Sequence, residues 1–103
     1  MCAGRDGAFA LDDALAAGRI VECVLDAAGP EDGIEPSESA RAAHLLWRGH
    51  PDVEGAFRGT ASGRMLAHHD LDADVAFCAH VDTSDVVPVV VRATPPAIER
   101  LLA

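Results

Sequence analysis

The stretch CAGRDGAFALDDALAAGRIVE, Cys2 to Glu22, decides how the rest of the chain reads. A short glycine-bearing loop runs directly into a segment where Leu11, Leu15, Gly18, Val21 and Leu25 recur at helical spacing. That spacing predicts an amphipathic helix from Leu11 to about Ala28. A loop feeding a helix start presents unpaired backbone N–H groups and the positive end of the helix dipole, a pairing suited to an anion. Asp12 and Asp13 stand in the first turn of that helix and repel a bare phosphate. An anion site here therefore calls for a divalent cation between the carboxylates and the ligand. The alternative is plain compensation of the dipole, in which such acids contribute about 0.3 to 1 kcal/mol. Gly4 and Gly7 suit a close backbone approach or positive φ.

Outward from this segment, Gly29-Pro30 ends the helix and GPEDGIEPSE forms a polar loop. Pro36-Ser37 starts a second helix, which carries Ala42, Ala43, Leu45, Leu46 and Trp47 before Gly49. From Val53 to His69 a weaker helical pattern is interrupted by Gly55, Gly59 and Gly63. An interior glycine costs about 1 kcal/mol relative to alanine, so the pattern predicts a helix, a loop and a new helix start near Ser62. Asp72 can cap a short helix carrying Val75, Ala76, Cys78 and Ala79. Asp82 and Asp85 flank the turn into VVPVVV, the one clear strand, placed near residues 86–92, where Pro88 favours an edge or a bulge. The tail after Pro95-Pro96 is expected to add a last turn or two of helix. A single strand cannot satisfy its own backbone groups. The chain is thus either a helical module with a stray edge strand or part of a larger α/β unit.

With 103 residues there is room for one domain. The apolar fraction of 50% indicates a folded chain, yet much of it is alanine and only 4% is aromatic, so the core is expected to be shallow. A net charge of −9 argues against nucleic acid and anionic membranes as partners. No apolar run reaches the roughly 20 residues of a membrane helix. Cys2, Cys23 and Cys78 are odd in number and irregularly spaced, which points to a reduced, cytoplasmic and soluble protein.

Other side chains are also of types that carry chemistry. Cys2 beside a helix start can be a nucleophile of lowered pKa or a small residue at a strand end. A cysteine-phosphatase loop requires an arginine six positions later, and Ala8 stands there. Arg64, in Ser62-Gly63-Arg64, can clamp an anion bidentately or pair with a nearby Asp. Ser62 reads as a cap, since no GxSxG elbow surrounds it. His68, His69, Cys78 and His80 fit no zinc spacing, because adjacent helical histidines point about 100° apart. Trp47 is core or an exposed patch awaiting cover.

Cys2-Ala3-Gly4, then Phe9, Leu11, Asp13, Ala17 and Gly18, then Ser62-Gly63-Arg64 with Leu66, and finally Asp74-Val75-Ala76-Phe77-Cys78-Ala79 ahead of Asp82 and Val87-Pro88-Val89 together resemble the C-terminal part of the 2-phosphosulfolactate phosphatases. The resemblance covers roughly positions 2 to 92. It implies a domain portion over 1–92, an unassigned tail over 93–103, and a layered α/β/α fold that is mostly helical in this part. It also implies hydrolysis of 2-phospho-3-sulfolactate, a step associated with coenzyme M biosynthesis, with Mg²⁺ as cofactor and an N-terminal half of the fold as structural partner. Members usually carry Glu-Asp where this chain has Asp12-Asp13, which keeps the charge and shortens its reach. On that footing Asp13 and Arg64 are the catalytic candidates, Cys2, Gly4 and Arg64 the substrate-binding ones, and Asp12 and Asp13 the metal ligands. The competing expectations are a non-catalytic acidic helical module whose strand adds to a partner's sheet edge, and an inactive gene fragment.

Overall fold

A computed structural model describes residues 2–101. The elements run α1 (Leu11–Ala27), a 3₁₀ turn (Pro30–Asp32), α2 (Glu38–Arg48), α3 (Val53–Arg58), α4 (Ala61–His68), α5 (Asp72–Cys78), β1 (Val87–Ala93) and β2 (Pro96–Leu101). The fold is mixed α/β and mostly helical, as the patterning predicts.

Ahead of α1, Asp6 and Gly7 both have positive φ, 50° and 76°. Arg5 and Ala8 exchange hydrogen bonds of 3.0 and 2.8 Å across them. This is the tight primed turn that Asp-Gly favours, since glycine carries no Cβ penalty at positive φ. Gly4 also has φ of +72°, and a Cβ there would meet the Ala8 carbonyl oxygen at 2.6 Å. Both glycines therefore serve the conformational role expected of them.

Helix α1 is central. Its Gly18 lies against α2 so closely that a Cβ would fall 2.1 Å from the Ala43 carbonyl oxygen and 2.7 Å from Trp47 Cβ. The other side of α1 faces the α3–α5 group, where Ala16 shares a cavity with Phe57, Leu66 and Val75. Leu15, 1% exposed, is the largest side chain fully enclosed among the described residues. Its burial contributes about 1.5 to 3 kcal/mol. Only Ala14 and Val75 join it as buried apolar residues among those described, so the core is as shallow as the alanine-rich composition implies.

Local chemistry sets the helix ends. The Ser37 hydroxyl accepts from Ala40 N–H, and the Asp52 carboxylate accepts from Gly55 N–H at 2.9 Å. Two expected caps are corrected. Thr60, rather than Ser62, caps α4: its hydroxyl accepts from Gly63 N–H at 2.9 Å and donates to the Phe57 carbonyl at 2.7 Å. Asp72 is the first residue of α5 rather than its cap, and its carboxylate instead takes the Arg58 guanidinium.

The tail is a second correction. Residues 96–101 form no helical turn; they pair antiparallel with β1, in register from Val87 opposite Leu101 to Ala93 opposite Pro96. The lone strand finds its partner within the chain, which is how its backbone groups become satisfied. Pro88 sits opposite Arg100, and the register shifts between Val90 and Arg92. In a two-stranded sheet both strands are edges, which tolerates a proline lacking its N–H. Both strands leave apolar side chains in solvent, Val90 and Ile98 among them.

Candidate functional site

The loop and the start of α1 are tied together by one charged hydrogen bond: the Gly4 N–H donates to Asp13 Oδ2 at 2.7 Å. The bond is possible because Gly4, at positive φ, turns its amide toward the helix start. Asp13 thus has a structural task, and its second carboxylate oxygen remains for other partners.

Asp12 and Arg64 meet across a cleft of about 220 Å³, with Arg5, Phe9, Thr60 and Ser62 on its walls. Asp12 enters from the first turn of α1, Ser62 and Arg64 from the first turns of α4, and Arg5 from the Asp-Gly turn. Arg64 donates to the Gly59 carbonyl, and among the described residues no carboxylate lies within 4 Å of it. The ion-paired alternative for Arg64 is therefore not what the fold adopts. Asp12 and Asp13 both also border the adjoining cavity of about 360 Å³ that reaches Phe57, Val75 and Cys78.

Cys2 lies elsewhere. It lines an apolar cavity of about 730 Å³ between α1 and α2, with Phe9, Ala14 and Leu46, and does not line the Arg64 cleft. His68 and His69 are exposed, their rings edge to face with centroids 5.4 Å apart. Among the described residues no group of three His, Cys, Asp or Glu side chains gathers into a metal cage. Magnesium does not need one, because it commonly keeps several waters and takes one or two protein carboxylates plus phosphate oxygens. The hard oxygens of Asp12, and the second oxygen of Asp13, fit such an open site.

A second polar cluster lies between α1, α2 and the segment before β1. Trp47 Nε1 and Arg19 Nη1 both donate to Glu22 Oε2, at 2.7 and 3.1 Å, and Arg19 Nη2 reaches Asp82 at 2.7 Å. The Trp47 hydrogen bond, aided by Arg19, holds the Glu22 carboxyl below its usual range. Asp82 raises the Arg19 guanidinium, so it stays charged. His44 Nε2 stands 3.7 Å from Glu22 and has no hydrogen-bond partner among the described residues. This cluster joins helices and shares no wall with the Arg64 cleft.

Asp12 and Arg64 are candidates from the sequence alone, whereas Arg5 and Thr60 join the cleft only in the folded chain. The Asp6-Gly7 dipeptide is the signal that could have found Arg5, because a two-residue turn folds Arg5 back beside Ala8 at the helix entrance.

The family model described as 2-phosphosulpholactate phosphatase matches residues 1–93. The chain belongs to this family. A probable 2-phosphosulfolactate phosphatase of Prochlorococcus marinus (strain MIT 9313) is 38% identical over 90 residues, covering 86% of this chain and 37% of the relative. The similarly named protein of Thermus thermophilus is 38% identical over 89 residues, covering 86% and 36%. That of Deinococcus radiodurans is 38% identical over 91 residues, covering 88% and 36%. The chain thus spans little more than a third of the length of the curated relatives it matches. Among the described residues no helix is long and apolar enough to cross a membrane.

Proposed function

We propose that the protein containing this chain is a Mg²⁺-dependent phosphatase that hydrolyses 2-phospho-3-sulfolactate, or a related 2-hydroxyacid phosphate, to the hydroxyacid and phosphate. The convergence of Asp12 and Arg64 on one cleft, within a chain of this family, carries the reading. Asp12 would hold a Mg²⁺ ion, which would supply Lewis-acid chemistry at the phosphoryl group, while Asp13 fixes the loop through Gly4 and keeps its other oxygen available. Arg64, without a carboxylate partner among the described residues, is available to orient an anionic substrate through two parallel N–H groups. The attacking group is a water or a nucleophile from the part of the fold that the relatives carry outside the matched region. Cys2 lies on the apolar cavity between α1 and α2 and takes no part in this cleft.

The net charge of −9 supports a small-molecule substrate drawn in by local arginines rather than a nucleic acid. Three exposed, unpaired cysteines fit a reducing cytoplasm. The test is phosphate release from phosphosulfolactate, with Mg²⁺ or with EDTA, by the chain alone and together with the portion found in its relatives. Release that needs Mg²⁺ and falls by at least about a hundredfold in Asp12→Asn and Arg64→Met supports the assignment. No release in either preparation sinks it.

A second reading has its own support. The β1–β2 hairpin leaves apolar side chains exposed on strands whose outer edges are open, a form suited to adding to another sheet. Stable capture of a strand partner by a chain without phosphatase activity would favour that role.

A further inference from the structure

The cavity of about 360 Å³ between α1 and the α3–α5 group differs in character from the cleft that holds Arg64. Ala16 lies on its α1 side, and Phe57, Leu66, Val75 and Cys78 on the other. Val75 is 3% exposed, so part of the lining is the buried core itself. Among the described residues no arginine or histidine borders this space. Two acids do, Asp12 and Asp13, and one oxygen of Asp13 is already taken by the Gly4 amide. The buried Thr60 hydroxyl is also committed, since it donates to the Phe57 carbonyl and accepts from the Gly63 N–H.

This lining selects against charge. An anionic group entering here meets two carboxylates and no basic side chain, and a neutral polar group gives up water for little beyond the Ser62 hydroxyl. Hydrocarbon has no such loss, and each methylene taken from water strengthens binding about fourfold. The cavity is also continuous with the cleft described above, because Asp12, Thr60 and Ser62 border both spaces. A molecule held at Asp12 therefore has an apolar recess beside it, of a volume usual for small-molecule sites.

We propose that this recess holds a hydrocarbon substituent of the substrate, so that the preferred 2-hydroxyacid carries a branched apolar side chain of the size of valine's or leucine's. Ala16, Leu66 and Val75 are then specificity-determining residues, which contact the non-reacting end of the molecule. The inference rests on the phosphatase reading above for its reaction, and it selects the related 2-hydroxyacid phosphates among the substrates named there. Its binding test does not depend on turnover.

The experiment is an NMR titration of the full 103-residue chain, in the presence of Mg²⁺, with 2-hydroxy-4-methylpentanoate and separately with lactate. The isobutyl compound is expected to bind at least about tenfold more tightly than lactate, with NOEs from its methyl protons to the Leu66 and Val75 methyls. Ala16 is exposed on α1, so Ala16→Leu fills the recess without crowding the core, and it is expected to cancel the preference. Cys78→Leu is expected to do the same from the opposite wall. Equal affinity for the two acids, NOEs to residues outside the cavity, or a preference that survives in both variants would overturn the recess. Phosphate release from the 2-phosphate esters of the same two acids, by the chain together with the portion found in its relatives, separates the two ideas. No release from either ester, with the binding preference intact, would remove the phosphatase reading and keep the recess. Release with equal kcat/KM for both esters would remove the recess alone.

Discussion

The α1–α2 pair and the β1–β2 hairpin are both pairings of neighbouring elements, yet they use their side chains in opposite ways. Between the helices, Gly18 permits near-contact of backbones, Leu15 is enclosed, and Trp47 finds its hydrogen-bond partner in Glu22. In the hairpin the backbone is paired, but Val90 and Ile98 remain 66% exposed. Hydrogen bonding alone forms the hairpin, whereas the helix pair also excludes water. The first kind of region resists substitution and the second tolerates it.

Breaking the helix pair should give the largest effect. Gly18→Val places side-chain atoms where the Ala43 carbonyl and Trp47 already stand, and a loss of about 3 kcal/mol in urea unfolding is expected. Gly4→Ala comes next. It combines strain at φ of +72° with a contact on the Ala8 carbonyl, for a loss of about 1 to 2 kcal/mol and faster amide exchange at the Asp13-bound N–H.

Glu22→Gln sharpens the comparison through pH. Because Trp47 and Arg19 lower the Glu22 pKa in the folded state, its contribution is fully present above the ordinary glutamate range and fades as pH falls through the folded value. The gap in Tm between wild type and Glu22→Gln should therefore be widest near pH 7 and close on acidification toward pH 3. A gap that is constant with pH would remove the carboxylate from that role. Smallest of all, Val90→Thr in the hairpin should change stability by less than about 0.5 kcal/mol and improve solubility. A loss comparable with Gly18→Val would mean that the exposed strand is covered in solution.

Much of the fold was legible because it rests on local signals. The 3.6-residue period of α1, the Ser37 cap and the glycine breaks around α3 and α4 each act over a few residues. The tail departs from the helical expectation because Pro95-Pro96 and the following Ala-Ile-Glu-Arg favour no single local state, and the pairing with β1 outweighs them. At the site, Asp12 and Arg64 stood out as residue types able to handle Mg²⁺ and phosphate. That they share a cleft, and that Arg5 joins them, depends on α4 packing beside the entrance to α1.

By itself the sequence determined the loop that turns into α1, with positive φ at Gly4 and Gly7 and two acids in the first turn, because turn chemistry and helical periodicity are short-range. The tertiary structure decided what those acids do. It gave Asp13 to the Gly4 amide and set Asp12 on a cleft with two arginines, since contacts between residues some sixty positions apart follow from packing rather than from any spacing along the chain.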